Sequence, residues 1–253
     1  MNIFEKKLSV VIPAYNEGER IYENLLEMDR LISTFSKHYE LVVVNDGSLD
    51  NTGLEIERAS ATNVHIIPAG YKDNRGKGGA IRAGVERASG EYIAFLDADL
   101  DLSPIHLKKF LKKMEESNAT AVIGSKLHKD SEIDYPLLRR VMSMGYYLML
   151  KAMFHLKIKD TQTGVKLFRA ESLKQTMEYV TSDGFAYDIE VLALINLFGG
   201  KIEEMPIRLV FQRDNRWGRI QISDIVNVAA ETMHVYRNVH KVKKMRDKLE
   251  IVK

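Results

Sequence analysis

The sequence predicts an α/β fold with a mostly parallel central sheet flanked by helices. Three observations carry that expectation. Apolar runs of strand length alternate with helix-length segments through the first half of the chain, and such alternation argues for βαβ units. The runs are nearly continuously apolar, as in Ser9-Val-Val-Ile12 and Leu41-Val-Val-Val44, which suits strands buried on both faces. Acidic and glycine-rich segments follow directly after the runs, where open α/β sheets bind ligands.

In order, strands are expected at Leu8–Ala14, Glu40–Val44, Val64–Pro68, Tyr92–Leu96 and Ala121–Gly124. Helices are expected between them at Glu17–Phe35, Asn51–Ala59, Gly78–Ala88 and Pro104–Glu116. The last opens on Ser103-Pro104, with Ser as N-cap and Pro at the first helical position. The second half reads differently. Pro136–Leu156 is a long apolar helix with basic flanks, and Lys159–Lys166 is a polar segment. Asp188–Leu197 is a helix stopped by Gly199-Gly200, Ile202–Phe211 a strand, and Ser223–Lys248 a long C-terminal helix. There is no repeat and no low-complexity linker. The expected organisation is one catalytic domain over residues 1–220, containing an amphipathic helix at 136–158, and a basic helical extension over 221–253.

Composition narrows the function. The 253 residues carry 37 basic and 35 acidic side chains, a net charge of +2, so no nucleic-acid partner is expected. With no cysteine, disulfides, zinc–cysteine sites and thiol nucleophiles are excluded. No run reaches the roughly 18 apolar residues that span a bilayer. Leu8–Ala14 is too short for a secretory h-region and follows Glu5, Lys6 and Lys7, so no signal peptide is expected.

The strand ends hold the chemistry. After the first come Pro13, Ala14, Tyr15, Asn16 and Glu17; after the second Asn45, Asp46, Gly47 and Ser48; after the fourth Asp97, Ala98, Asp99, Leu100 and Asp101. A lone Asp at a strand end is ordinarily a cap or an Asx turn, and Asp46 in Asp-Gly-Ser fits that reading. Three such sites on one edge argue for more. In Asp97-Ala98-Asp99, alternate residues face one way, and two adjacent carboxylates repel unless a cation or proton lies between them. Oxygen ligands suit Mg²⁺ or Mn²⁺, which keeps phosphate oxygens as further ligands. That points to a nucleoside diphosphate held through metal.

Asn74-Arg75-Gly76-Lys77-Gly78-Gly79 opens a helix. Its glycines allow backbone to approach a ligand, and its position favours anions. A solvated glycine loop is the plainer reading. It is neither a Walker A loop nor a dinucleotide fingerprint, since no Ser or Thr follows Lys77 and the first βα turn reads Pro-Ala-Tyr-Asn-Glu.

Together these segments resemble glycosyltransferase family 2, with its GT-A fold. The residues that carry it are Val10-Val-Ile-Pro-Ala-Tyr-Asn-Glu17, Val44-Asn-Asp-Gly-Ser48, Asn74-Arg-Gly-Lys-Gly78, Ala88-Ser-Gly-Glu91 and Asp97-Ala-Asp99. Asp160-Thr-Gln-Thr-Gly-Val-Lys-Leu-Phe168 and Phe185-Ala-Tyr-Asp-Ile-Glu190 are similar to the polyprenyl-phosphate branch, which includes the dolichyl-phosphate glucosyl- and mannosyltransferases. The resemblance implies inverting transfer of one sugar from a nucleotide-sugar donor to a polyprenyl or dolichyl phosphate acceptor. It leans to UDP-glucose, with GDP-mannose or a soluble saccharide acceptor as alternatives and a non-catalytic scaffold on the same fold as a third class.

Carried over, the resemblance assigns Pro13, Tyr15 and Glu17 to the nucleotide wall and Asp46 to the base or ribose. Arg75 and Lys77 fall beside the nucleotide, with Asp97 and Ala98 against the donor. Asp97 and Asp99 match the metal and diphosphate site for Mg²⁺ or Mn²⁺. Asp101 stands where the mannose synthases carry Gln and is a third candidate metal ligand. Lys126 stands where the branch has an Arg that contacts acceptor phosphate, and keeps the charge without the fork. Arg139 and Arg140 are further acceptor cations. Asp188, with Glu190, matches an acidic cluster near the acceptor; it is open to a role as base, as sugar-orienting group or as ion-pair partner.

A lipid acceptor requires bilayer access. Val141–Leu156 holds 4 of the 11 Met residues behind Arg139-Arg140, which suits either an interfacial helix or core. The basic run Arg237–Lys248 reads as a solvated face or as an attraction to anionic lipid. The expected location is peripheral, at the cytoplasmic face of a membrane, alone or with a membrane partner subunit.

Overall fold

The computed structural model describes residues 4–132, 137–184, 186–209 and 222–251. Within its helices, the side chains of 137–144, 146, 222–229 and 249–251 lie outside that description. The elements run β1 (Leu8–Ala14), α1 (Ile21–Ile32), β2 (Tyr39–Asp46), α2 (Thr52–Thr62), β3 (Ile66–Tyr71), α3 (Lys77–Arg87), β4 (Tyr92–Phe95), α4 (His106–Ser117) and β5 (Ala121–Ser125). They continue with α5 (Leu137–Phe154), β6 (Lys166–Arg169), α6 (Ala170–Met177), α7 (Tyr187–Leu197), β7 (Ile202–Pro206) and α8 (Ile222–Ile251).

The strands form one seven-stranded sheet in the order β3-β2-β1-β4-β6-β5-β7. All pairings are parallel except those of β6, which runs antiparallel to both β4 and β5. Alternate side chains of β1 feed opposite layers. Val10 and Ile12 join Ile21, Leu25, Met28 and Ile32 of α1 on one face, and Val11 joins Ala80, Ile81 and Val85 of α3 on the other. The α1 residues recur at i, i+4, i+7 and i+11, one stripe of a helix. All four are fully buried, each stabilising the fold by about 1.5–3 kcal/mol against exposure.

Several expectations are corrected. The four-residue strand β6 and helix α6 lie in or directly after a segment read as polar, and β6 was not expected. Lys166 opens β6, and a lysine reads as an exposed end, yet this one is 1 % exposed. β3 extends past Pro68 to Tyr71. It is an edge strand, so the missing N–H can face away from the ladder. α1 starts at Ile21 because Glu17 and Gly18 are held by the following βα turn: the Glu17 N–H donates to Thr52 Oγ1 at 2.8 Å and the Gly18 N–H to Asp50 at 3.0 Å. Residues 103–105 form a turn before α4 instead of its cap and first residue; His106 N–H donates to the Ser103 carbonyl and Leu107 N–H to that of Pro104. The last strand ends at Pro206, and the rest of its expected span to Phe211 continues as isolated bridges at Arg208 and Leu209 before leaving the described residues.

The amphipathic helix at 136–158 is α5. Its last turns bury Leu150 and Phe154 and expose Leu148 and Met149. Among the described residues, no helix is long and apolar enough to cross a membrane.

Candidate active site

The carboxyl ends of β1, β2, β4 and β5 deliver four segments to one edge of the sheet. Because β6 is antiparallel, it presents its amino end at that same edge: Lys166 pairs in register with Phe95 of β4 and Ile123 of β5. The helix starts of α3 and α7 add Lys77 and Asp188.

The donor side is built on β1 and β2. Asn16 has φ of +53°, a conformation Asn tolerates. Its side chain accepts from the Leu49 N–H at 2.9 Å and its own N–H donates to Ser48 Oγ at 3.1 Å. That lock fixes Tyr15, which is 45 % exposed and therefore available to a ligand, between Pro13 and Glu17. Asp46 is buried and fully engaged. It accepts from Tyr71 Oη at 2.6 Å, from the Arg75 N–H at 2.8 Å and from Asn74 Nδ2 at 3.0 Å. Burial, then the Asp46 carboxylate, push the Tyr71 phenol upward in pKa. The Arg75 guanidinium stacks over the Tyr71 ring at 4.3 Å. Asp46 thus holds the 71–75 segment, while the local turn is capped by Asn45, whose Oδ1 accepts from the Ser48 N–H at 3.0 Å.

The glycine loop departs from expectation. Gly78 and Gly79 N–H groups both donate to the Asp183 carbonyl, at 2.8 and 3.2 Å, so they do not cradle phosphate. A Cβ on Gly76 would come within 2.7 Å of that carbonyl, and Gly76 has φ of +84°. These glycines dock α3 against residues 182–184 and aim Lys77 inward.

Lys77 Nζ lies 2.5 Å from Asp97 Oδ1. Burial works to lower its pKa, but Asp97, Asp188 and Asp99 outweigh burial and raise it. Ala98 is fixed by its carbonyl, which accepts from the buried Asn24 side chain at 2.8 Å. Asp99 Oδ1 accepts from the Asp101 N–H at 3.1 Å across Leu100, whose φ is +60°. Among the described residues, no three His, Cys, Asp or Glu side chains are arranged to hold a metal. Asp97, Asp99 and Asp101 are therefore not gathered into one cage. The donor set still fits a hard cation: Mg²⁺ is commonly held by one or two carboxylates, with phosphate oxygens completing the shell.

Sequence reasoning missed the residues behind this pair. Gly164 lies so close to Asp97 that a Cβ there would fall 1.9 Å from Oδ2. Lys166 Nζ is 2.6 Å from Asp188 Oδ1 and 2.5 Å from the Thr163 carbonyl. Its burial lowers its pKa against the pull of Asp188. Burial, with Asp188 beside it, raises the Tyr187 phenol far up. Asp160, 8 % exposed, accepts from the Lys126 N–H at 2.8 Å and from Thr163 Oγ1 at 2.7 Å, with Lys126 Nζ at 3.9 Å. The signal was the Asp160–Phe168 segment itself, where turn residues lead into an apolar strand.

Asp188 and Glu190 do not form one cluster. Two helical residues apart, they point about 200° from each other. Glu190 accepts from the N–H groups of Thr181 and Ser182 and from Asn238, a structural clamp. Arg139 and Arg140 lie on α5, with side chains outside the described residues, and Phe185 lies outside the described residues altogether.

Residues 9–177 match the family described as Glycosyl transferase family 2, and the chain belongs to that family. It is 30% identical over 218 residues to a dolichyl-phosphate beta-glucosyltransferase of Dictyostelium discoideum, covering 79% of this chain and 65% of the relative. The human protein of the same description is 30% identical over 240 residues, covering 87% and 70%. The chain thus spans about two thirds of the length of these curated relatives. The mannosyltransferase PcManGT of Pyrobaculum calidifontis, solved with GDP-Man and Mn²⁺, superposes with a TM-score of 0.59 at 20% identity, over 85% of this chain and 59% of that one. That likeness bears on the fold, which is the expected GT-A fold.

Proposed function

We propose that the chain transfers one glucose from UDP-glucose to a polyprenyl or dolichyl phosphate, with inversion at the anomeric carbon. The observation that carries this reading is the engagement of Asp188. A sugar hydroxyl acceptor needs a base to take its proton. Asp188, the carboxylate that the resemblance puts near the acceptor, is instead buried against Lys166. A lipid monophosphate, with a second pKa of about 6, attacks without losing a proton. Its oxygen forms the bond to the sugar C1 as the bond from C1 to the diphosphate oxygen breaks, and the electron pair leaves on the nucleoside diphosphate.

The residues divide that work. Tyr15 offers a face for the base. Lys77 supplies positive charge where charge grows on the departing diphosphate. Lys126, tethered through Asp160, offers its ammonium to the acceptor phosphate. Asp97 and Asp99 would hold a divalent cation, which when bound supplies Lewis-acid stabilisation of the leaving group. The names of the curated relatives support the lipid acceptor and the glucosyl donor. A lipid acceptor calls for peripheral contact with a bilayer, which we place at its cytoplasmic face.

The test offers the enzyme polyprenyl phosphate and the parent polyprenol, with UDP-glucose and Mn²⁺. Product from the phosphate alone is expected. Equal glucosylation of the alcohol would require a base and overturn the reading.

A further inference from the structure

We propose that the outward face of α8 is a docking surface for an anionic lipid bilayer. It deepens the proposed membrane contact by naming the surface. Arg237, Lys241, Lys244 and Lys248 recur at i, i+4, i+7 and i+11, which places them within about 60° around the helix axis. All four are exposed, whereas Val235, Val239 and Val242 are buried in the core. The buried positions lie roughly 130–190° from the centre of the cationic stripe. The core therefore fixes which way the stripe points.

The stripe holds four positive charges on a chain whose net charge is +2. Among the described residues none of the four is ion-paired, and the neighbouring acid Asp247 is matched by Arg246 at 3.6 Å. The stripe is about 16 Å long at the helical rise of 1.5 Å per residue, so adjacent charges lie within a Debye length and act together. Together with Tyr236 and His240 they line an open recess of about 490 Å³. Met245 also lines it, and Met233 is exposed one helical turn before Arg237; both offer apolar tips suited to shallow insertion. Cationic and edged by apolar side chains, this surface complements a lipid headgroup layer.

The placement relates the surface to the site. α8 runs alongside α7: Glu231 accepts from the Ala186 N–H at 3.2 Å beside the start of α7, and Arg246 donates to the Leu197 carbonyl at its end. The Arg237 end of the stripe is thus the end nearer Asp188. Phe154 of α5 packs edge-on against Tyr236 at 5.9 Å, so α5 is braced on the same helix.

The test sediments the protein with vesicles of phosphatidylcholine alone or with about 30% phosphatidylserine. The expected result is partition onto the anionic vesicles only, weakened as salt rises from about 0.05 to 0.5 M. The variant K241E/K244E should bind at least about tenfold more weakly. K243E, the same charge change as K241E alone but about 200° from it round the helix, should lose less than K241E and less than about threefold. With detergent-dispersed acceptor, K241E/K244E should retain wild-type transfer, which separates the docking surface from the active site. Equal binding to neutral vesicles, equal losses in K243E and K241E/K244E, or anionic-vesicle binding abolished by competing RNA but unaffected by K241E/K244E would each overturn the proposal. Absence of transfer by any variant, with vesicle binding intact, would overturn the activity assigned above and leave the docking surface standing.

Discussion

Lys77 Nζ sits 2.5 Å from Asp97 Oδ1, joining the first residue of α3 to the end of β4. The ammonium therefore occupies a position that a divalent cation on Asp97 would contest. The Lys77→Met variant should bind Mn²⁺ more tightly, read by electron paramagnetic resonance titration, yet transfer sugar about 10²–10³-fold more slowly. Unchanged metal affinity would show that the two cations do not compete.

Gly164 gives Asp97 its place. Its backbone is not in the left-handed region, so the Gly164→Ala variant should fold, but its methyl must displace a carboxylate oxygen now 1.9 Å away. A displacement of about 1 Å in a reacting group costs on the order of 10² in rate. Transfer should fall by about that factor with a melting temperature close to wild type. Wild-type kcat would separate Asp97 from the reaction.

Lys166 and Asp188 form a buried pair at 2.6 Å. Lys166→Met leaves a carboxylate without its counter-charge and should cost about 3–5 kcal/mol in urea unfolding. Lys166→Met/Asp188→Leu should recover most of that loss. If both variants are equally destabilised, the pair contributes no coupling.

Much of this was legible beforehand. β1, β2, β4 and β5 are nearly continuous apolar runs, and the carboxylates after β1, β2 and β4 stand where the topology puts ligands. The sheet's inner antiparallel strand was not. In four residues Lys166-Leu-Phe-Arg169 there is no alternation to count, and a lysine at the first position reads as solvent-facing. The lysine's pairing with Asp188 and its bond to the Thr163 carbonyl make its burial tolerable. Likewise, the glycines at the start of α3 read as a loop open to an anionic ligand or to solvent, because sequence shows the freedom of a loop and not its occupant. That occupant is the Asp183 carbonyl.

His106 gives the fold an acid sensitivity. Burial lowers its pKa below 6.5, against a bond to the Arg208 carbonyl that raises it. A depressed histidine contributes stability that is present above pH 6.5 and lost as pH falls through its folded value, because the unfolded chain takes up the proton first. The urea midpoint should drop between about pH 7.5 and pH 5.5, and His106→Gln should flatten that drop. An equal slope in the variant would assign the sensitivity elsewhere.

The central claim is metal-assisted transfer to a lipid phosphate, and one assay addresses it directly. Radiolabelled UDP-glucose is incubated with polyprenyl phosphate and the intact chain, with Mn²⁺ or with EDTA, and with Asp97→Ala alongside. The account predicts label in the organic extract with Mn²⁺ only, and none from Asp97→Ala. Label appearing equally in EDTA, or undiminished in the variant, would contradict it.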